Sequence, residues 1–145
     1  MKTSFWTLIS QNKIEIPIIQ RDYAQGRIEE SRIARGFISK IKNKLVAKEK
    51  LNLDFVYGKI ENNILIPLDG QQRLTTLFLL HWFLATKEKD EDVELSDEIK
   101  TILSNFSYET RPSSQDFCRK LVNEGICQYT NEELLSDLIE NQKWF

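Results

Sequence analysis

The chain has 145 residues and a formal net charge of −2, long enough to bury one core and without the global positive charge that draws a protein to a polyanion. Hydrophobic residues make up 41% and charged residues 29%, which excludes an intrinsically disordered chain. A single histidine, His81, and two cysteines, Cys118 and Cys127, are too few ligands for a structural zinc site.

Near the N-terminus, Ile14, Ile16, Ile18 and Ile19 surround Pro17. This is a β-rich stretch whose proline lacks a ladder N–H, so an edge strand or extended arm is expected, ending at Gln20-Arg21-Asp22-Tyr23. From Glu29 to Glu49, Ile33, Phe37, Ile41 and Leu45 recur every four residues between lysines and arginines, the pattern of a helix with one buried stripe. Phe55, Tyr57 and Ile60 precede Glu61-Asn62-Asn63, and Ile64 to Leu68 follow; this reads as a hairpin turned on asparagines. Gln72 to Thr86 is apolar on most sides and is expected to be the central helix. The longest apolar run, Leu74 to Ala85, is too short and interrupted to span a bilayer, and no signal-peptide pattern opens the chain, so a cytoplasmic protein is expected.

After a charged connector from Lys87 to Asp92, Leu95, Ile99, Ile102, Leu103 and Phe106 mark an amphipathic helix. Another begins at Ser113-Ser114-Gln115-Asp116 after Pro112 and stops near Gly125. Thr130 and Glu133 form a capping box for a last helix. The chain ends on Trp144-Phe145, an apolar end that reads as a cut through a longer protein. The expected fold class is α+β, mostly helical, with a small sheet made from the first segment and the hairpin, followed by a helical bundle.

Polar residues concentrate in Asp69-Gly70-Gln71-Gln72-Arg73, where a strand meets a helix through a glycine. The outward amides and positive dipole end of such a helix hold anions. Arg73 adds a planar fork suited to phosphate, and Gln71 and Gln72 can donate side-chain amides. Asp69 could hold Mg²⁺ or orient an attacking water. A plainer reading has Asp69 capping the helix and Arg73 pairing with Asp69 or another carboxylate on the surface. His81 reads as a packed helix residue, and Lys40, Lys42, Lys44, Lys48 and Lys50 as a solvated face or as contacts to a DNA backbone.

Ile16 to Tyr23, a hairpin opening Phe55-Val56-Tyr57-Gly58-Lys59-Ile60, and Asp69 to Leu77 occur in that order. Together they resemble the N-terminal domain of GmrSD-type modification-dependent restriction proteins, the family known as domain of unknown function 262. Tyr108 to Phe117 is similar to a segment of one branch. The resemblance implies a ParB/sulfiredoxin-like nucleotide-binding core over residues 1–86, with a helical extension over 87–145 packed on it as one unit. It implies a nucleotide-binding, Mg²⁺-dependent NTP-hydrolysing regulatory domain of an anti-phage restriction system; the alternative is a non-catalytic DNA-recognition or protein-interaction module. On the resemblance, Gln20, Arg21, Tyr23, Gly70, Gln71, Gln72, Arg73 and Thr75 contact the nucleotide, with Asp69 and Arg73 catalytic and Asp69 the Mg²⁺ ligand. Apart from the resemblance, Arg111, Ser113 and Ser114 could make a second phosphate contact from another helix N-terminus, or Ser113 serves as an N-cap and Arg111 as an ordinary surface charge. The implied partners are NTP, a C-terminal HNH-type nuclease domain in the full-length protein and, through that protein, DNA.

Overall fold

Ser4 caps the first helix, α1 (Phe5–Gln11), by accepting the Thr7 amide on its hydroxyl. In the computed structural model, residues 2–17, 31–53, 55–87, 95–109 and 112–125, with Asp137 and Ile139, are described. Strand β1 (Lys13–Ile16) follows within two residues, and its alternation buries Ile14 and Ile16 on one face. Helix α2 (Ser31–Val46) comes next, then the hairpin of β2 (Tyr57–Glu61) and β3 (Ile64–Asp69). Its turn residues Asn62 and Asn63 have φ of 51° and 63°, the double left-handed conformation of a two-residue hairpin turn that asparagine tolerates. The remaining described elements are α3 (Gln71–Lys87), α4 (Asp97–Leu103), β4 (Phe106–Tyr108) and α5 (Pro112–Asn123).

The fold is α+β and mostly helical, with a four-stranded mixed sheet in the order β2-β3-β1-β4. Strand β1 runs parallel to both β3 and β4, while β2 and β3 are antiparallel. The expectation of an edge strand around Pro17 is corrected: β1 lies at the centre. The strand ends at Ile16, so Pro17 owes the ladder no N–H, and the residues before it pair on both sides, with Ile14 opposite both Leu65 and Phe106. A second correction concerns Phe106, which belongs to β4 and not to the preceding helix. The helix stops at Leu103; the Ile14 amide then donates to Asn105 O at 2.7 Å and the Glu109 amide to Ile16 O at 2.9 Å. Pairing with β1 thus supplies better partners than another helical turn, and a strand lies between α4 and α5 in place of an uninterrupted bundle.

The core is a cluster joining α1, β1, β3, α3, α4, β4 and α5, including Ile9, Ile14, Leu74, Phe78, Trp82, Leu103, Phe106 and Leu121. Phe78 of α3 stacks on Phe106 of β4 at 4.6 Å. Trp82 Nε1 donates to Leu121 O at 2.9 Å, tying α3 to α5 and satisfying the one polar atom of a buried indole. His81 is a packed residue: its Nδ1 lies 2.7 Å from Leu77 O and its ring stacks on Trp6. On α2, Ile41 is buried and Phe37 half-buried, whereas Leu45 is exposed, so the expected stripe is shorter than its spacing suggests. Pro112 at the first position of α5 and Gly125 at φ +66° bracket that helix. The capping-box helix from Thr130 lies outside the described residues apart from Asp137 and Ile139, both helical. No described helix is long and apolar enough to cross a membrane.

A candidate phosphate site at the start of helix α3

Because β1, β3 and β4 are parallel, their carboxyl ends share one edge of the sheet. β1 ends at Ile16 opposite Tyr108, the last residue of β4, and β3 runs out beside them to Asp69. The Gln20-Arg21-Asp22-Tyr23 segment follows β1, the Asp69 to Arg73 turn follows β3, and the start of α5 follows β4. Loops at the carboxyl edge of parallel strands are where open sheets commonly bind ligands.

Gly70 makes the turn. Its φ is +81°, and a Cβ built on it would stand 3.0 Å from Val56 Cγ2 and 3.3 Å from Val56 Cα. Both backbone angle and packing therefore demand glycine. The Leu74 amide donates to Gly70 O at 3.0 Å, the first bond of α3, which leaves the amides of Gln71, Gln72 and Arg73 directed out of the helix end. Gln71 Nε2 donates to Pro67 O at 2.9 Å and so clamps the helix start to the strand it has just left.

Arg73 Nη2 donates to Asp69 Oδ2 at 3.2 Å. The two side chains differ in burial: Arg73 is 22% exposed and Asp69 71%, and Arg73 Nη1 lies wholly buried. The guanidinium is held into the fold while the carboxylate stands in solvent. Arg73 thus pairs with Asp69, as the plainer reading anticipated, but from within the fold and not from the surface. Thr75, one helical turn beyond Gln71, is buried; its hydroxyl lies 3.0 Å from Gln71 O and 3.0 Å from Tyr108 Oη. Thr76 likewise donates to Gln72 O at 2.8 Å.

Of the residues expected at the site, Asp69 ends β3, Gly70 makes the turn, and Gln71, Gln72, Arg73 and Thr75 follow in the first turns of α3. Gln20, Arg21, Tyr23 and Arg111 lie outside the described residues, as does the side chain of Ser113, although Ser113 itself is the second residue of α5. Ser114 is half-buried in the first turn of that helix. Tyr108 was not singled out by the sequence, although the segment it opens was; its hydroxyl reaches Thr75 and links β4 to α3. The residues present suit an anion, through outward amides and a guanidinium on one turn. For a divalent cation, no group of three or more His, Cys, Asp or Glu side chains gathers among the described residues. Mg²⁺ here would take Asp69 together with phosphate and water oxygens, a mode that ion favours.

The fold and the turn define a small mixed-sheet α+β domain with a strand, glycine and helix junction at its parallel edge. The chain belongs to the family of GmrSD restriction endonuclease N-terminal domains, whose model matches residues 5–144, and it is thereby a restriction-system component. No curated protein and no solved structure matches it.

Proposed function

We propose that the domain binds the phosphates of a nucleoside triphosphate at the Asp69 to Arg73 turn, hydrolyses it with Mg²⁺, and in that way governs the nuclease part of a cytoplasmic restriction system. The observation that supports this most is the Gly70 turn, which starts α3, and with it the first amides and Arg73, beside the edge where the parallel strands end. Arg73 exchanges the Asp69 carboxylate for phosphate oxygens. Asp69, mostly solvent-exposed, is then available as a cation ligand or to orient water. Bound Mg²⁺ would neutralise charge developing on the phosphates. Thr75 and Tyr108 keep the first turn of α3 fixed against β4. Gln20, Arg21 and Tyr23 complete the nucleotide side, and Arg111, Ser113 and Ser114 provide the second phosphate contact. In this reading residues 1–86 form a ParB/sulfiredoxin-like nucleotide core and residues 87–145 its helical extension. The partner domain in the full-length protein is an HNH-type nuclease that acts on DNA.

A second reading, a non-catalytic DNA-recognition module, draws on α2. Its sequence holds Arg32, Arg35, Lys40, Lys42 and Lys44 and no acidic residue, with Arg35, Lys40 and Lys42 exposed, a local basic face on a net-acidic chain. Calorimetric titration of ATP, GTP, CTP and UTP, each with and without Mg²⁺, separates the readings. The proposal expects saturable binding of at least one NTP and Mg²⁺-dependent phosphate release that is lost in Asp69→Asn. It also expects Arg73→Ala to weaken binding roughly ten- to hundredfold, as removal of a charge-assisted hydrogen bond does. No binding of any NTP, or unchanged affinity in folded Arg73→Ala, overturns it; salt-sensitive duplex binding without turnover favours the second reading.

A further inference from the structure

Strand β2 is an edge of the sheet, and every residue of it is exposed. An open edge presents unsatisfied backbone groups, which is usually avoided or used. The hairpin register fixes which groups those are. Glu61 and Ile64 flank the two-residue turn and so form a hydrogen-bonded pair; the pairs then alternate, making Ile60 with Leu65 non-bonded, Lys59 with Ile66 bonded and Gly58 with Pro67 non-bonded. Pro67, which has no N–H, falls where none is needed. The N–H and C=O of Ile60 therefore point away from β3 to the open side; the register shifts at Tyr57/Gly58, so the alternation is not carried further.

We propose that β2 pairs antiparallel with β2 of a second copy of this chain, about a two-fold axis through Ile60, to join two sheets into one of eight strands. In that register Ile60 exchanges both backbone hydrogen bonds with the partner's Ile60, which uses the groups that face outward. The neighbouring positions then bring Lys59 opposite the partner's Glu61 and Glu61 opposite the partner's Lys59. These are non-bonded pairs, where facing side chains come closest. The charge pattern is self-complementary about Ile60 and about no other residue of the strand. Within one chain Lys59 Nζ and Glu61 Oε2 already stand 3.1 Å apart on the same face, so the pairing turns one intrastrand ion pair into a four-charge cluster with alternating signs. Ile60, 57% exposed, gains an apolar neighbour in its partner copy. Gly58, opposite the partner's Asn62, leaves room for the partner's turn. The proposal does not depend on nucleotide binding.

The competing account is that Lys59 guards the edge and keeps the chain monomeric. Sedimentation velocity over a concentration series decides between them. The proposal expects self-association of the native chain. It expects Lys59→Glu alone and Glu61→Lys alone each to weaken that association by about tenfold or more, since each places like charges opposite one another in both symmetric pairs. An equimolar mixture of the two variants should recover the dimer, because each partner then faces opposite charge. Under mild oxidation Ile60→Cys should form a symmetric disulfide, as facing residues of a bonded pair lie about 5.5 Å apart, within disulfide reach. A native chain that stays monomeric, single variants that associate like the native chain, or a mixture that does not recover association overturns the proposal.

Discussion

Replacing Gly70 with alanine tests the turn on which the candidate site is built. Two costs are visible in the structure. The φ of +81° is a left-handed conformation that costs an L-residue about 1–2 kcal/mol, and the new Cβ would meet Val56 Cγ2 at 3.0 Å, so Val56 must yield by a few tenths of an ångström. Against these, alanine reduces the freedom of the unfolded chain, an offset of about 0.4–1 kcal/mol. The net expectation is a loss of about 1–2 kcal/mol, a fall in Tm of roughly 4–8 °C at about 4 °C per kcal/mol for a domain of this size. Urea unfolding followed by tryptophan fluorescence reads it as a lower midpoint at unchanged slope. Combining Gly70→Ala with Val56→Ala relieves part of the packing cost: the 3.0 Å contact with Cγ2 goes in the double variant, while the 3.3 Å approach to the Cα of residue 56 and the backbone strain remain, so the two substitutions should couple favourably. A Gly70→Ala protein as stable as the native chain would refute the claim that this turn requires glycine.

Two further perturbations probe the surroundings. Thr75→Val and Tyr108→Phe each remove a hydroxyl from the contact between α3 and β4 and should each cost about 1 kcal/mol; in the double variant the losses should be less than additive, as a double-mutant cycle in urea would show, and simple additivity would mean the two hydroxyls do not interact. Burial pushes the Cys118 thiol up from 9.0 to about 12, so in the folded protein it should resist alkylation at pH 8, where an exposed thiol reacts. The sign for stability follows: the neutral buried thiol is favoured fully below the unfolded value near 9, and the advantage is lost as pH rises from there towards 12. Cys118→Ala should show a shallower alkaline decline than the native chain, and an identical decline would count against the shift.

The elements legible in the sequence were those whose signals are local. Asn62-Asn63 specifies a hairpin by its tolerance of positive φ, Gly70 and the polar run after it specify a helix start, and Pro112 and Gly125 bracket α5. The central position of β1 was not legible, because Pro17 signals an edge and nothing local reveals that the strand stops one residue earlier. Strand β4 is three residues long, too short for periodicity to separate it from the helix before it; its pairing with β1 depends on contacts almost a hundred residues apart. Helix α1 was missed for a related reason: seven residues give one and a half apolar repeats, and only the Ser4 cap could have marked its start. At the candidate site, the strand, glycine and helix-start geometry of residues 69–73 was legible from the turn itself. Tyr108 was not, since its partner Thr75 is distant in sequence.

The pairing of Asp69 with Arg73 forms without removing the case for a phosphate site, because the two interactions differ in strength. A carboxylate that stands in solvent contributes little to an ion pair, up to about 1 kcal/mol, and Asp69 at the end of β3 is mostly in water. A charge-assisted bond from the same guanidinium to a phosphate, reinforced by outward amides at the helix end, is worth roughly 1.5–3 kcal/mol. The arginine side chain, largely buried and tied into the first turn of α3, stays in place when its partner changes, whereas the aspartate is the one able to leave. On the proposed function, the pair orients Arg73 before any ligand arrives, which would lower the ordering cost of binding, and the carboxylate released would stand beside the phosphates, where a cation or an attacking water is needed.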